Sequence, residues 1–257
     1  MAAPNLIRLI YRNIRVNTDV ASLVILLGLP AMYLIFFGYG FQSVIQSTTG
    51  GKATSYLAFL APGIMAFQAV MAGTVGGSML WADRRWGMLA QLLVGPFTRI
   101  EYLFGIMLTS LLFGLGGAAI MMAIAVALVG SSTVTLTGAL VVFGSIALGS
   151  IFFGSLMLLI SALVKSNNAY NSIQILLIFF VNFASTVFYS YNASLPGALQ
   201  VLFAVNPLTY IADTARAGYT GTLSGHNGLE MLVLAVETVV ILVLATRAYL
   251  RSDVSTE

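Results

Sequence analysis

A run of 63 consecutive residues, 102–164, contains no charged side chain. The run is too long for a single membrane helix, because about 20 apolar residues cross the hydrocarbon core of a bilayer. The turn residues Gly130-Ser-Ser-Thr133 divide it into two predicted spans, 103–129 and 135–163. The whole chain is 59% hydrophobic and only 7% charged, whereas soluble domains carry about 25% charged residues. We therefore predict an integral membrane protein.

The apolar periodicity predicts an all-α chain with six transmembrane helices in a single domain. The predicted spans are 21–41, 56–80, 103–129, 135–163, 170–190 and 229–246. Residues 1–20 precede them, and Arg8, Arg12 and Arg15 fall on one helical face opposite an apolar face. This pattern is typical of an amphipathic helix that lies in the interface with its arginines toward anionic lipid head groups. The small residues of 73–77 in the second span predict a helix-packing face.

Six spans place both termini on the same side of the membrane. The basic residues divide unequally between the two sides, and Lys52 and Arg216 alone fall on the second side. The first side carries Arg8, Arg12, Arg15, Arg84, Arg85, Arg99, Lys165, Arg247 and Arg251. Because basic residues are retained in the cytoplasm, we expect cytoplasmic termini and a location in the cell (inner) membrane.

The longest polar connection on the predicted cytoplasmic side is residues 81–101. Trp86, Leu89 and Leu92 recur at helical spacing, which predicts a short amphipathic helix over 83–98. Asp83 is the expected N-cap and Gly95-Pro96 the expected stop. Arg84 and Arg85 would then lie in the first turn, where the helix dipole disfavours positive charge. We expect contact with a partner, in addition to topogenic charge, to account for the two arginines.

Residues 191–227 precede the last predicted span and contain two apolar segments, each about half the length of a span. Asn206 as N-cap and Pro207 at the first helical position predict the start of the second segment. Asp213 and Arg216 are placed to pair on it, and Gly218 is its expected end. Two half-helices that dip into the outer leaflet and interfacial helices packed over the bundle both fit this pattern.

Polar residues within the predicted spans are candidates for the transport pathway. Five of them lie within about 80° of one another on the wheel of the fifth span: Asn171, Gln174, Asn182, Ser185 and Tyr189. They would line a seam between subunits or form hydrogen bonds between helices. Glu237 lies near the middle of the last span, where a carboxylate is costly. It would either take part in transport or have a structural role, paired with a polar group of another span.

Several motifs, in order along the chain, resemble those of the ABC type-2 permease family. They are Leu29-Pro30 with Phe36-Phe37-Gly38-Tyr39-Gly40, Tyr56–Gly63, Asp83–Pro96 followed by Arg99, Leu195-Pro196, and Asn206–Arg216. The resemblance implies a six-span half-transporter that pairs with itself or with a similar permease. It also implies a separate ATP-binding subunit that drives transport. Tyr189-Ser-Tyr-Asn192 departs from the aromatic-proline pair of related chains.

The resemblance assigns roles to particular residues. Those that would contact the ATPase are Asp83, Arg84, Arg85, Trp86, Leu89, Leu92 and Pro96. Those that would close the outer end of the pathway are Asn206, Pro207, Asp213 and Arg216. The sequence has no Gly-x-x-x-x-Gly-Lys-Ser/Thr loop, so ATP and Mg²⁺ are expected on the partner subunit and no cofactor on this chain.

The leading functional hypothesis is export of an amphipathic drug, secondary metabolite or lipid, as in multidrug efflux. Export of a polysaccharide or lipid-linked glycan is the main variant, and a proton-coupled carrier that uses Glu237 is a second class. The chain has no cysteine and one histidine, which argues against an intramembrane enzyme or a metal site. Its basic residues are scattered rather than clustered, so we expect no nucleic-acid partner.

Overall fold

The computed structural model describes residues 3–49, 55–130, 135–192 and 195–252. Within these ranges the chain is helical and has no strand, which confirms the all-α class. A π-helical turn covers Val24–Gly28. The helices are α1 (Ala3–Val16), α2 (Val20–Leu23), α3 (Leu29–Thr49), α4 (Tyr56–Arg85), α5 (Met88–Val94), α6 (Arg99–Val129), α7 (Leu136–Leu163), α8 (Asn167–Phe183), α9 (Gly197–Val205), α10 (Pro207–Thr220) and α11 (Gly225–Arg251).

The long helices run between two ends of a bundle. We call the end with α1, α5 and the last turns of α4 and α11 the basic end, and the end with α9 and α10 the far end. In the described ranges, five helical segments are long and apolar enough to cross a membrane: Val20–Val44, α4, α6, α7 and α11. Five of the six predicted spans are therefore supported by length and composition.

The remaining predicted span, 170–190, which is the fifth in chain order, corresponds to α8, which has only 17 residues. At about 1.5 Å per residue this is roughly 25 Å, less than the thickness of a typical hydrocarbon core. The helix nevertheless reaches from Trp81 at the basic end, whose Nε1 donates to Asn167 Oδ1 at 2.7 Å, to Asn206 at the far end, whose Nδ2 donates to Val181 O.

Other boundaries also differ from the predictions. The helix α4 continues to Arg85 instead of ending at residue 80. The helix α10 continues past Gly218 to Thr220 and is capped by Gly221, which has a positive φ of 73°. Of the predicted turn Gly130-Ser-Ser-Thr133, the residues 131–133 lie outside the described ranges, as does Lys52.

The helix α4 is the centre of the bundle. Leu60, Ile64 and Phe67 are completely buried, and α4 packs against α3, α6, α7 and α10. A helix surrounded by protein on all sides needs no polar face, which explains why its apolar residues do not follow a single stripe. Pro62 lies inside α4 without ending it.

The small residues of α4 allow a close approach of α7. A Cβ atom added at Gly73 would lie 2.6 Å from the Phe153 carbonyl carbon, and one at Gly77 would lie 2.7 Å from Met157 Cβ. Neither distance is tolerated between carbon atoms, so both positions require glycine at this helix spacing. The prediction that residues 73–77 form a helix-packing face is confirmed.

Candidate functional site

At the basic end, Asp83 connects three helices. Arg12 of α1 donates from Nη1 to Asp83 Oδ2 at 2.8 Å and from Nη2 to Oδ1. The Tyr102 hydroxyl of α6 donates to the same Oδ2 at 2.8 Å. Asp83 lies in the last turn of α4 and is buried. The prediction that Asp83 is the N-cap of a separate helix is therefore wrong.

The pair with Asp83 also changes the role predicted for Arg12. Burial lowers the pKa of the Arg12 guanidinium, but the hydrogen bond and the negative charge of Asp83 raise it by more, so its pKa lies above the usual value. Arg12 is thus directed toward the protein and not toward lipid head groups. Arg8 and Arg15, on the same helix, are exposed as predicted.

Arg84 is buried, and its Nη1 donates to the Ser161 carbonyl of α7 at 2.8 Å. Both Arg84 and Arg85 belong to the last turn of α4, where the helix dipole favours positive charge. The prediction that they oppose a helix dipole is wrong, because it assumed that a new helix begins at Asp83. Arg84 and Asp83 secure the end of α4 and are not accessible to a partner.

The predicted helix over 83–98 is shorter in the structure. The chain turns at Gly87, which has a φ of 70°, and α5 then covers only Met88–Val94. Leu89 is buried against the bundle and Leu92 is half-buried, whereas Trp86 is 76% exposed and Val94 is 90% exposed. We call five of the exposed residues of this region the α5 patch: Arg85, Trp86, Met88, Val94 and Pro96.

Contacts from neighbouring elements hold the α5 patch in place. Asn5 Nδ2 of α1 donates to the Pro96 carbonyl at 3.1 Å. Thr98 and Glu101 form a capping box that starts α6 immediately after the patch. Arg99 Nη1 donates to the Leu250 carbonyl of α11 at 3.0 Å. Because α1, α6 and α11 all fix its flanks, the patch is a surface of defined shape at the basic end.

At the far end, Arg216 of α10 makes the predicted pair with Asp213, with Nη1 to Oδ1 at 2.6 Å. Its Nη2 donates to the Thr186 carbonyl at 2.8 Å, and its guanidinium carbon lies 3.9 Å from the centre of the Phe59 ring. Thr186 Oγ1 donates to Asp213 at 2.8 Å. Thr186 and Phe59 were not among the predicted site residues, because their contacts join distant parts of the chain.

Asn206 holds the end of α8 against the start of α10. Its Oδ1 accepts from the Leu208 N–H at 3.0 Å, and Pro207 occupies the first turn, as predicted. Its Nδ2 donates to the carbonyls of Val181 and Ala184 at 2.8 and 2.7 Å. One side chain thus bonds to an N–H at the start of α10 and to two carbonyls at the end of α8. Backbone groups at helix ends lack partners within their own helix.

The predicted polar stripe of the fifth span does not exist as one helical face. The helix α8 ends at Phe183, so Ser185 and Tyr189 lie beyond it. Asn171 is exposed, and Gln174 pairs with Ser78 of α4, with Nε2 to Oγ at 3.4 Å.

Asn182, like Ser185, is a buried member of the former stripe. Its carbonyl accepts from Ser185 Oγ at 2.7 Å, but its Oδ1 has no hydrogen-bond partner in the described part of the chain. On α11, Glu237 is half-buried, and its Oε2 likewise has no partner among the described residues.

An aromatic groove between α3, α4 and the residues after α8 was missed by sequence reasoning. It has a volume of about 320 Å³ and is lined by Phe37, Phe41, Tyr56, Phe183, Phe188 and Tyr189. The rings of Phe37 and Phe188 have centres 5.0 Å apart, and those of Phe183 and Phe188 are 5.2 Å apart. The aromatic motif around Gly38 was a sequence signal, but its partners lie about 150 residues later.

Two comparisons with known proteins bear on this arrangement. Residues 5–220 match the family described as ABC-2 type transporter. The chain is also similar to nodulation protein J of Rhizobium meliloti (strain 1021), with 30% identity over 234 residues. That alignment covers 88% of this chain and 84% of the relative. The residues matched by the family include most of α1, the α5 patch and the far-end helices α9 and α10.

Proposed function

Because this chain belongs to the ABC-2 type transporter family, we propose that it is the permease subunit of an ATP-driven exporter of amphipathic molecules. Members of the family are transport components without a nucleotide-binding domain of their own and pair with an ATP-binding subunit. The chain is therefore a membrane component and not itself an enzyme. Export, the substrate class and the arrangement of subunits are the parts that we propose.

The distribution of charge supports an orientation in the cell membrane. Exposed basic residues gather at the basic end, and they include Arg8, Arg15, Arg85, Lys165 and Arg247. Because basic residues are retained in the cytoplasm, we assign the basic end and both termini to the cytoplasmic side. In this orientation α8 is the fifth of six crossings, and its short length is accommodated by local thinning of the bilayer.

The α5 patch is the observation that carries the proposal. Trp86 and Val94 are large apolar side chains left exposed at the end where water is expected, beside the Arg85 guanidinium. Tryptophan and arginine are enriched among residues that dominate protein interfaces. The patch continues directly from the central helix α4, so a force applied to it acts on the helix that contacts most of the bundle. We assign it as the docking surface for the ATPase subunit.

The far end supports a closed outer gate. Asn206 and Arg216 both hold the segment 184–188 against α4 and α10. The helices α9 and α10 are 9 and 14 residues long, too short to cross a membrane of about 30 Å. In the proposed cycle these re-entrant half-helices cover the outer exit, and movement of α4 releases them.

The aromatic groove supports the proposed substrate class. Its walls are six aromatic rings, which favour an apolar or ring-containing portion of a substrate over a fully polar polymer. Nearby, α3 and α8 expose Phe36, Phe179 and Phe180. We propose that these exposed faces pair with a second copy of the chain or a similar permease, and that the groove opens toward the seam.

The proposal is tested by ATP hydrolysis. The chain is purified with its ATPase subunit, reconstituted in proteoliposomes, and exposed to amphipathic drugs, to lipids and to lipid-linked glycans. We expect an amphipathic compound to stimulate hydrolysis and to be transported in the presence of ATP. If only lipid-linked glycans stimulate ATP hydrolysis, the substrate class is lipid-linked glycans and not amphipathic drugs. Transport driven by a proton gradient without an ATPase subunit would contradict the proposal.

A further inference from the structure

A second cavity at the far end, with a volume of about 400 Å³, lies between α9, α10 and the start of α11. It is separate from the aromatic groove, and its walls are mostly apolar with a few polar groups. The side chains that matter for its chemistry are Asp213, Glu230, Thr209, Tyr191 and Tyr210. No role was predicted from the sequence for Glu230 or Thr209.

The cavity contains one negative charge without a permanent counter-charge. Asp213 is paired with Arg216. Glu230 is only 7% exposed and accepts a hydrogen bond from Asn227 Nδ2 at 3.2 Å. In the described ranges its ion-pair contact is with His226 Nε2 at 3.4 Å, and this histidine is charged only when it is protonated. A buried carboxylate without a fixed cation favours a cationic ligand.

The hydroxyl donors at the cavity wall are already used inside the protein. The Tyr191 hydroxyl donates to Gln200 Oε1 at 2.9 Å, the Tyr210 hydroxyl donates to the Ala204 carbonyl, and Thr186 Oγ1 donates to Asp213. Their oxygen lone pairs remain able to accept. The cavity therefore presents acceptors, and a complementary ligand must supply donors.

Thr209 is the independent sign of a missing ligand. The residue is only 6% exposed, and its Oγ1 has no hydrogen-bond partner in the described part of the chain. Thr209 lines the cavity, so rotation of its side chain would bring a buried hydroxyl that otherwise carries a desolvation cost to a bound donor.

We propose that this cavity binds the ammonium group of an amine ligand. Glu230 is its counter-ion, and the Thr209 hydroxyl accepts one of its hydrogen bonds. The rings of Phe203 and Tyr210, which also line the cavity, provide faces for the attached apolar group and for the cation itself. The site does not depend on ATP-driven export, because it is formed within this chain by α9, α10, α11 and the segment that follows α8.

The test is calorimetric titration of the purified full chain in lipid nanodiscs, without ATP and without an ATPase subunit. The probes are 2-phenylethylamine, which is cationic at neutral pH, and its uncharged analogue 2-phenylethanol. We expect the amine to bind at least about tenfold more tightly than the alcohol. Equal affinities for the two probes, or no binding of the amine, would overturn the proposal.

Two variants locate the site. Glu230→Gln keeps the shape of the side chain but removes its charge, and should weaken amine binding by about tenfold. Asp19→Asn removes an exposed carboxylate near α2, outside the cavity, and should leave amine binding unchanged. Thr209→Val removes only the hydroxyl and should weaken binding by about fivefold.

If Glu230→Gln is not recovered as a folded protein, Thr209→Val and the preference for amine over alcohol decide the question. An unchanged dissociation constant in either folded cavity variant contradicts the site. Because no nucleotide or partner is present, this result is independent of the test of the exporter.

Discussion

The guanidinium of Arg12 and the carboxylate of Asp83, 71 positions apart in the chain, are joined by two hydrogen bonds at the end of the central helix. The pair fixes α1 against α4 at the point from which the chain turns into α5. The position of the α5 patch therefore depends on an N-terminal helix that periodicity alone describes as a surface element. In the proposed exporter, α1 is part of the structure that receives force from the ATPase.

Asp83→Asn tests this connection. The amide keeps the shape of the side chain but leaves the partly buried Arg12 without its counter-charge. We expect the free energy of unfolding to fall by about 2 kcal/mol, measured as a lower melting temperature of the purified protein. Arg8→Gln, an exposed position on the same helix, should have no measurable effect.

The double variant Arg12→Gln/Asp83→Asn separates the pair from the individual residues. Since the second substitution removes an interaction that the first has already broken, the two losses should not add. Additive losses would show that the two residues stabilise the protein independently.

The close approach of α4 and α7 gives a second prediction. Gly73→Ala places a Cβ atom 2.6 Å from the Phe153 carbonyl carbon, so the helices must separate, at a cost of about 1–3 kcal/mol. Gly116→Ala is a matched control, because nothing lies within 4 Å of its added Cβ. We expect a lower melting temperature for the first variant only. Equal melting temperatures would mean that the helices are not in contact at Gly73.

At the far end, Asn206→Asp separates the two functions of one side chain. The carboxylate still accepts from the Leu208 N–H, but the donors to the Val181 and Ala184 carbonyls are lost. We expect faster hydrogen–deuterium exchange in residues 181–188 and little change in the first turn of α10. Exchange that is accelerated only in α10 would assign Asn206 to helix capping alone.

The aromatic groove is tested at Phe41, which is 45% exposed and stacks on Phe37 with ring centres 5.7 Å apart. Phe41→Ala removes part of the apolar wall. The concentration of amphipathic substrate needed for half-maximal stimulation of ATP hydrolysis should rise about fivefold. Leu140→Ala, at an exposed position of α7 outside the groove, should leave this concentration unchanged. Equal effects of the two variants would remove the groove from the substrate path.

The features predicted correctly from the sequence are those set by local chemistry. Asn206-Pro207 starts a helix through its own side chain and ring, and Asp213 and Arg216 pair because they are one helical turn apart. Five spans follow from runs of apolar residues alone. The packing face at Gly73 could likewise be predicted, because small residues in membrane helices are enriched where two helices approach closely.

The errors arose where a long-range contact decides the structure. Periodicity alone did not show whether Asp83 begins a helix or ends one, and Gly87, the residue with positive φ, was the signal that α4 ends just before it. The end of α8 at Phe183 has no local marker. It is set by Asn206, more than 20 residues away in the chain, whose side chain donates hydrogen bonds to the carbonyls of Val181 and Ala184.

The central claim, that the α5 patch receives the ATPase subunit, is tested most directly by the dissociation constant of that subunit for the permease in nanodiscs. Arg85→Glu reverses an exposed charge within the patch, and Lys165→Glu makes the same change outside it, at the same end of the bundle. We expect Arg85→Glu to raise the dissociation constant by at least about tenfold, and Lys165→Glu to change it by less than about twofold. A correctly folded Arg85→Glu protein that binds the ATPase subunit as tightly as the unaltered chain would contradict the claim.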